Sequence, residues 1–228
     1  MRKIILDTET TGLLFYEGHK IIEIGCIEIL NNTITDNIFH RYINPKRNID
    51  PDAKKITGLS DDFLKNKPIF KDIIEDFFNY LSNSDEIIIH NAKFDINFIN
   101  NELQINNYKI KNIEFNFKIF DTLNFARKIF PGKKNNLDAL AERLNIKIED
   151  RTTHGALKDA KILADIYLKL KNIQNIENEN ENTNINEINI KKISNVENKF
   201  KTAKSNNLDF KKHLKYVEKL KKNDRNKH

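Results

Sequence analysis

The stretch Ile4-Ile5-Leu6-Asp7-Thr8-Glu9-Thr10-Thr11-Gly12 decides how the rest of the chain is read. Its apolar half reads as a buried strand. The run then breaks into two carboxylates, two residues apart. On a strand, positions i and i+2 point to the same side, so Asp7 and Glu9 project together. Two acids at a strand end repel each other unless a cation sits between them, and hard oxygen ligands of this kind suit Mg²⁺ or Mn²⁺. Taken alone, the pair also fits a plainer role, an acidic strand end capping the next element.

Outward from this stretch the pattern is regular. Gly18–Leu30 alternates and is rich in Ile, Asn31-Asn32 makes a turn, and Thr33–Ile43 returns as a hairpin partner. Pro51 opens a short helix with Asp50 as its expected cap, and Gly58 stops it before Ser60 caps the next. Ile73, Ile74, Phe77, Phe78 and Leu81 fall at helical spacing over Phe70–Leu81. Glu86–His90 is a short apolar strand leading into a helix over Ala92–Leu103. Ile119-Phe120 is the last strand. From Asp121, expected to cap a helix, the chain reads as helices over Thr122–Ile129, Leu137–Leu144 and Ala156–Leu170. The order predicts an α/β fold with a mixed five-stranded sheet, a parallel core and an antiparallel second strand. Asp7 then lies at the end of the central strand, where ligands sit in open α/β sheets.

The 228 residues suffice for one sizeable domain (residues 1–171) with an appendage. A single cysteine, Cys26, excludes an internal disulfide. No apolar run approaches the ~20 residues of a membrane span. Met1-Arg2-Lys3 leads straight into the strand without a signal-peptide pattern, so the expected location is cytoplasmic, with no membrane partner. The net charge of +6 is concentrated late: residues 172–228 hold 13 Lys/Arg against 8 Asp/Glu. The body is therefore near neutral, and any nucleic acid bound there would need metal ions to offset the acids. Residues 172–204 are Asn- and Glu-rich and read as a disordered linker. Phe210, Leu214, Val217 and Leu220 restore one helical stripe within 205–228.

Three further candidates join the first pair. Asp95 lies in the first turn of a helix leaving a strand, in His90-Asn91-Ala92-Lys93-Phe94-Asp95. His154 and Asp159 lie five residues apart at the start of the last helix. Singly, each has a bland reading as a solvated helix-start acid, a loop histidine or a surface acid. Together they make an ordered set at element ends that can face the first strand. Phe63, Phe94 and Phe98 could stack on a base, although their spacing fits core packing as well.

On these residues the chain resembles the DEDD exonucleases with a catalytic histidine, of the ribonuclease-H-like superfamily. The likeness spans about residues 3–170. Besides the first stretch it rests on Tyr16–Gly25, Ile89–Asp95 and Arg151–Leu157. Ala126-Arg127-Lys128-Ile129-Phe130-Pro131-Gly132-Lys133, with Leu137–Leu140 behind it, is narrower. That stretch and Glu17–Gly25 point to the proofreading (epsilon) subunits of bacterial DNA polymerase III. The resemblance implies 3′–5′ hydrolysis of a phosphodiester at single-stranded 3′ ends of DNA by two divalent cations, releasing nucleoside 5′-monophosphates. Asp7 would bridge both ions, Glu9 and Asp159 would complete one metal shell, Asp95 would act mostly through bound waters, and His154 would be the base. Asp7, Glu9 and Asp159 would thereby touch the substrate, joined by Asp52 and Thr57 before the Gly58 turn; the family usually has His at the position of Thr57. An RNA-directed relative, of the oligoribonuclease or tRNA-trimming type, is the alternative, against which stand the Phe-Pro-Gly-Lys stretch and the tail. The partners implied are the polymerase (alpha) subunit, through residues 205–222, and a small accessory subunit of the polymerase core. Gln174-Asn175-Ile176 falls where the family often carries a sliding-clamp peptide, but lacks the expected aromatic.

Overall fold

The computed structural model describes residues 1–148 and 153–193. Residues Met1–Asn178 form one compact unit. Strand β1 (Arg2–Thr10) is central in a five-stranded sheet of order β3-β2-β1-β4-β5, where β2 is Ile21–Leu30, β3 Thr33–Tyr42, β4 Glu86–Ile89 and β5 Ile119–Asp121. β1 runs antiparallel to β2 and parallel to β4, as the sequence pattern predicts. The β2–β3 hairpin turns on Asn31 and Asn32, with φ of 51° and 65°. Asn tolerates this left-handed backbone better than most residues, so two in succession suit a tight hairpin.

Alternation along β1 divides the core. Ile4 and Leu6 face one side, with Phe39, Phe77 and Leu81, under helices α3 (Phe70–Leu81) and α4 (Ala92–Ile105). Ile5 faces the other, with Ile27, Ile29 and Ile88, under α7 (Ala156–Ile193). Two short helices, α1 (Pro51–Thr57) and α2 (Asp61–Leu64), follow β3, and α5 (Thr122–Ile129) and α6 (Leu137–Arg143) follow β5. Asp121 caps α5, its side chain accepting from the backbone N–H groups of Leu123 and Asn124.

α7 lies close on the sheet because small residues face it. Ala156, Ala160 and Ala164, four apart, are fully buried. At the facing point of β2 stands Gly25, where a Cβ would lie 2.3 Å from the Leu157 backbone nitrogen. α7 also runs on to Ile193, through a part of the segment expected to be a linker. Once turns anchored on the sheet have nucleated a helix, each added residue gains a backbone bond, and residues 172–193 contain neither Pro nor Gly to stop it. Residues 194–204 and the segment 205–228 lie outside the described residues. Among the described residues no helix is long and apolar enough to cross a membrane.

Gly25→Ala is expected to push α7 outward, since the obstacle is backbone that cannot rotate away. The cost should be about 1–3 kcal/mol, a fall in melting temperature of roughly 3–10 °C for a domain of this size. Calorimetry on the full chain checks it.

Candidate active site

Asp7 and Glu9 follow Ile5 at even spacing, so they project from β1 on the α7 face. The close approach of α7 over Gly25, the register partner of Asp7, brings the helix start to them. Asp159 sits in the first turn of α7 and is buried. His154 precedes the helix; its backbone N–H donates to the Ile56 carbonyl (2.8 Å), and its ring Nδ1 lies 3.0 Å from Asp159 Oδ2. One ligand atom from each of Glu9, His154 and Asp159 lies within 4.8 Å of the others. A hard-oxygen cluster with one imidazole at this spacing suits a divalent cation.

Asp95 arrives from the other face. β1 pairs with β4 only as far as Ile5 and Ile88, leaving the Thr8 amide beyond the paired stretch. The Asp95 carboxylate accepts from that N–H (3.0 Å) and from the Thr8 hydroxyl (2.6 Å). Far from being a solvated helix-start acid, Asp95 is buried at 3% exposure. Burial pushes its pKa up to about 7, against the pull of the Thr8 bonds. Asp7 is pushed well above the usual carboxylate range, first by burial and then by the charges of Asp95, Glu9, Asp159 and Glu23. The four acids are thus one electrostatic unit.

Beside Glu9 opens a cleft of about 510 Å³, walled by Leu13, Phe94, Ile56 and the α1 residues Asp52 and Thr57. Phe98 belongs to the core, while Phe63 packs on Tyr42 and Lys67, so of the three candidate aromatic rings Phe94 alone lines this cleft.

Residues 4–167 match the family model described as Exonuclease. The DNA polymerase III subunit epsilon of Buchnera aphidicola subsp. Schizaphis graminum is 52% identical over 191 residues, covering 78% of this chain and 82% of the relative. Those of Salmonella typhimurium (47%, covering 74% of this chain and 71% of the relative) and Rickettsia felis (51%, 75% and 74%) are similar to it as well. The chain belongs to the epsilon-subunit family of exonucleases. Its activity is accordingly that of a 3′–5′ exonuclease. Among solved structures it is similar to Exonuclease X in complex with 5′ overhanging duplex DNA (TM-score 0.58, 25% identity, 75% of this chain and 92% of that one). The nuclease domain of 3′hExo, a DEDDh family member bound to rAMP, shares the fold (TM-score 0.65, 17% identity, 75% and 92%).

Within this epsilon-family exonuclease, some residues depart from what the sequence suggests. Asp50 occupies the cap position of α1 but makes no cap bond; its carboxylate lies 3.2 Å from His19 Nε2 and 3.4 Å from Arg47 instead. Gly12 makes room for that arrangement, since a Cβ there would meet His19 at 2.5 Å. The Thr57 hydroxyl donates to the Ala53 carbonyl (2.8 Å) and accepts from the Leu59 N–H (3.2 Å), which ties it to its own helix end. Asp52, by contrast, is exposed and pairs with Lys55 at 3.5 Å. Glu23, opposite Glu9 on β2, is buried and 2.7 Å from His40 Nε2. The close approach of α7 is marked in the sequence by Gly25, which interrupts an Ile-rich strand.

The raised pKa values set a pH dependence. A carboxyl that titrates higher when folded contributes stability below its unfolded value, near 4, and loses it as the pH rises through the folded value. For Asp95 that window runs up to about 7. Asp7→Asn is therefore expected to raise the melting temperature of the metal-free protein, more at pH 8 than at pH 5. Mn²⁺ should raise the parent's melting temperature more than the variant's. Thermal melts in EDTA and in Mn²⁺ measure both.

Proposed function

We propose that the chain proofreads DNA as the exonuclease subunit of a bacterial polymerase III core in the cytoplasm. It removes nucleoside 5′-monophosphates from single-stranded 3′ ends. The observation carrying this reading is the convergence of Glu9, His154 and Asp159 within 4.8 Å beside Asp7, in a chain of this family. Asp7, Glu9, Asp95 and Asp159 would hold two divalent cations, Mg²⁺ or Mn²⁺. Such a pair, when bound, stabilises charge on the attacking and leaving oxygens.

The chain's own residues do the rest. His154 has a half-exposed ring oriented by Asp159. In its neutral form it takes a proton from the attacking water as the new P–O bond forms. The terminal nucleoside would enter the cleft, with its base against Phe94 and Leu13. Asp52 would accept from its sugar, and Thr57 would close the wall. Asp7, Glu9 and Asp159 would hold the cations that neutralise the scissile phosphate.

Asp7→Ala or Asp159→Ala is expected to abolish hydrolysis of a 3′-ended oligonucleotide while the protein stays folded. His154→Ala should slow it by about 10²–10⁴-fold with Mn²⁺ affinity largely kept. An equal loss of metal affinity would make His154 a ligand instead of the base.

The lysine-rich segment 205–222 carries one apolar stripe, too little for a stable isolated helix. An amphipathic segment of that kind docks into a partner groove. We assign it to the polymerase (alpha) subunit, with the exonuclease held near the primer end at high effective concentration. A chain ending at residue 172 retains the whole family match. It should keep activity on single-stranded DNA and lose the polymerase in a pull-down; retention of full affinity would refute the assignment.

A further inference from the structure

Phe130-Pro131-Gly132-Lys133 has no part in the mechanism above, yet the fold builds this loop with care. Gly132 takes φ +71°. The Asn135 side chain is buried, and its amide donates to the carbonyls of Phe130 (3.2 Å) and Lys133 (3.0 Å). Arg143 on α6 donates to Asn135 Oδ1 (3.1 Å) and to the Lys134 carbonyl (2.8 Å), and its guanidinium stacks 4.8 Å over Phe130. One arginine is thus committed to fixing the loop backbone.

The loop so held walls a cavity of about 540 Å³ with Arg127, Lys133 and Lys134, alongside Asn91 and Asn136, and no carboxylate lines it. Among the described residues, none of the three cations forms an ion pair with an acid. Lys133 and Lys134 on the loop and Arg127 on α5 line one cavity as like charges that repel one another, and an anion between them would relieve that cost. His90 forms part of the floor, with Nδ1 2.9 Å from the Thr122 hydroxyl.

The cavity's place in the sheet matters. Ile5 and Ile88 are register partners and pack in the same cluster with α7. β1 and β4 run parallel and His90 stands just beyond the end of β4, so the cavity lies at the same end of the sheet as Asp7 and Glu9. It shares no lining residue with the cleft beside Glu9.

We propose that this cavity is a phosphate subsite for the DNA strand leading to the cleavage site, with Lys133, Lys134 and Arg127 as its cations. It rests on the reading of single-stranded DNA as substrate. Its role is strand positioning, which a near-neutral, acid-centred body otherwise has little means to supply.

The test is the full chain carrying Lys133→Ala and Lys134→Ala, binding a single-stranded 12-nucleotide DNA in EDTA, followed by fluorescence anisotropy. Affinity at 0.1 M salt should fall about 10-fold. The slope of log Kd against log salt should shrink by roughly 1.4, about 0.7 for each phosphate of a single strand that is no longer neutralised. KM for the p-nitrophenyl ester of thymidine 5′-monophosphate, which has one phosphate, should stay within about two-fold, because that phosphate sits at the acids. An unchanged salt slope overturns the proposal, and so does an equal loss on the ester. Failure of the parent protein to cut 3′ ends in Mn²⁺ would instead strike the exonuclease reading, a readout separate from the slope.

Discussion

Mutual repulsion of acids at the end of β1 is the constraint on which the structure turns. Asp7 has the charges of Asp95, Glu9, Asp159 and Glu23 around it, and its own carboxyl is desolvated by burial. No relaxed fold would collect these groups. The sheet does so by force of packing elsewhere: Ile4, Leu6 and Ile5 bury β1 on both faces, and the acids are carried along at fixed parity. The hydrophobic core thus bears the cost of an arrangement that becomes favourable when cations arrive.

Two helices deliver the remaining groups from opposite faces. α4 brings Asp95 to the Thr8 amide beyond the β1–β4 pairing, so a backbone donor left over by the sheet becomes the anchor of an acid. α7 brings Asp159 and His154 over Gly25, where a missing side chain lets a helix start press on a strand. Both devices place a charged side chain through backbone geometry, which is stiffer than a chain of side-chain contacts.

Much of this was legible in the sequence. The period of Phe70–Leu81 sets that helix at its observed bounds, and the Asp-Thr-Glu break locates the centre of the sheet. Asp95, His154 and Asp159 could be gathered by their positions at element ends. The burial of Asp95 could not be read, because it depends on how far β4 pairs with β1. Asp50 looked like a helix cap because local spacing says nothing of His19 across the loop.

The hydrogen bond from the His154 amide to the Ile56 carbonyl joins two parts that could have been independent. Ile56 lines the cleft, and His154 stands at the acids. The end of α1 is thereby fixed to the backbone of His154 through one peptide group. The cleft wall and the segment leading into α7 are in this way braced by a single main-chain contact.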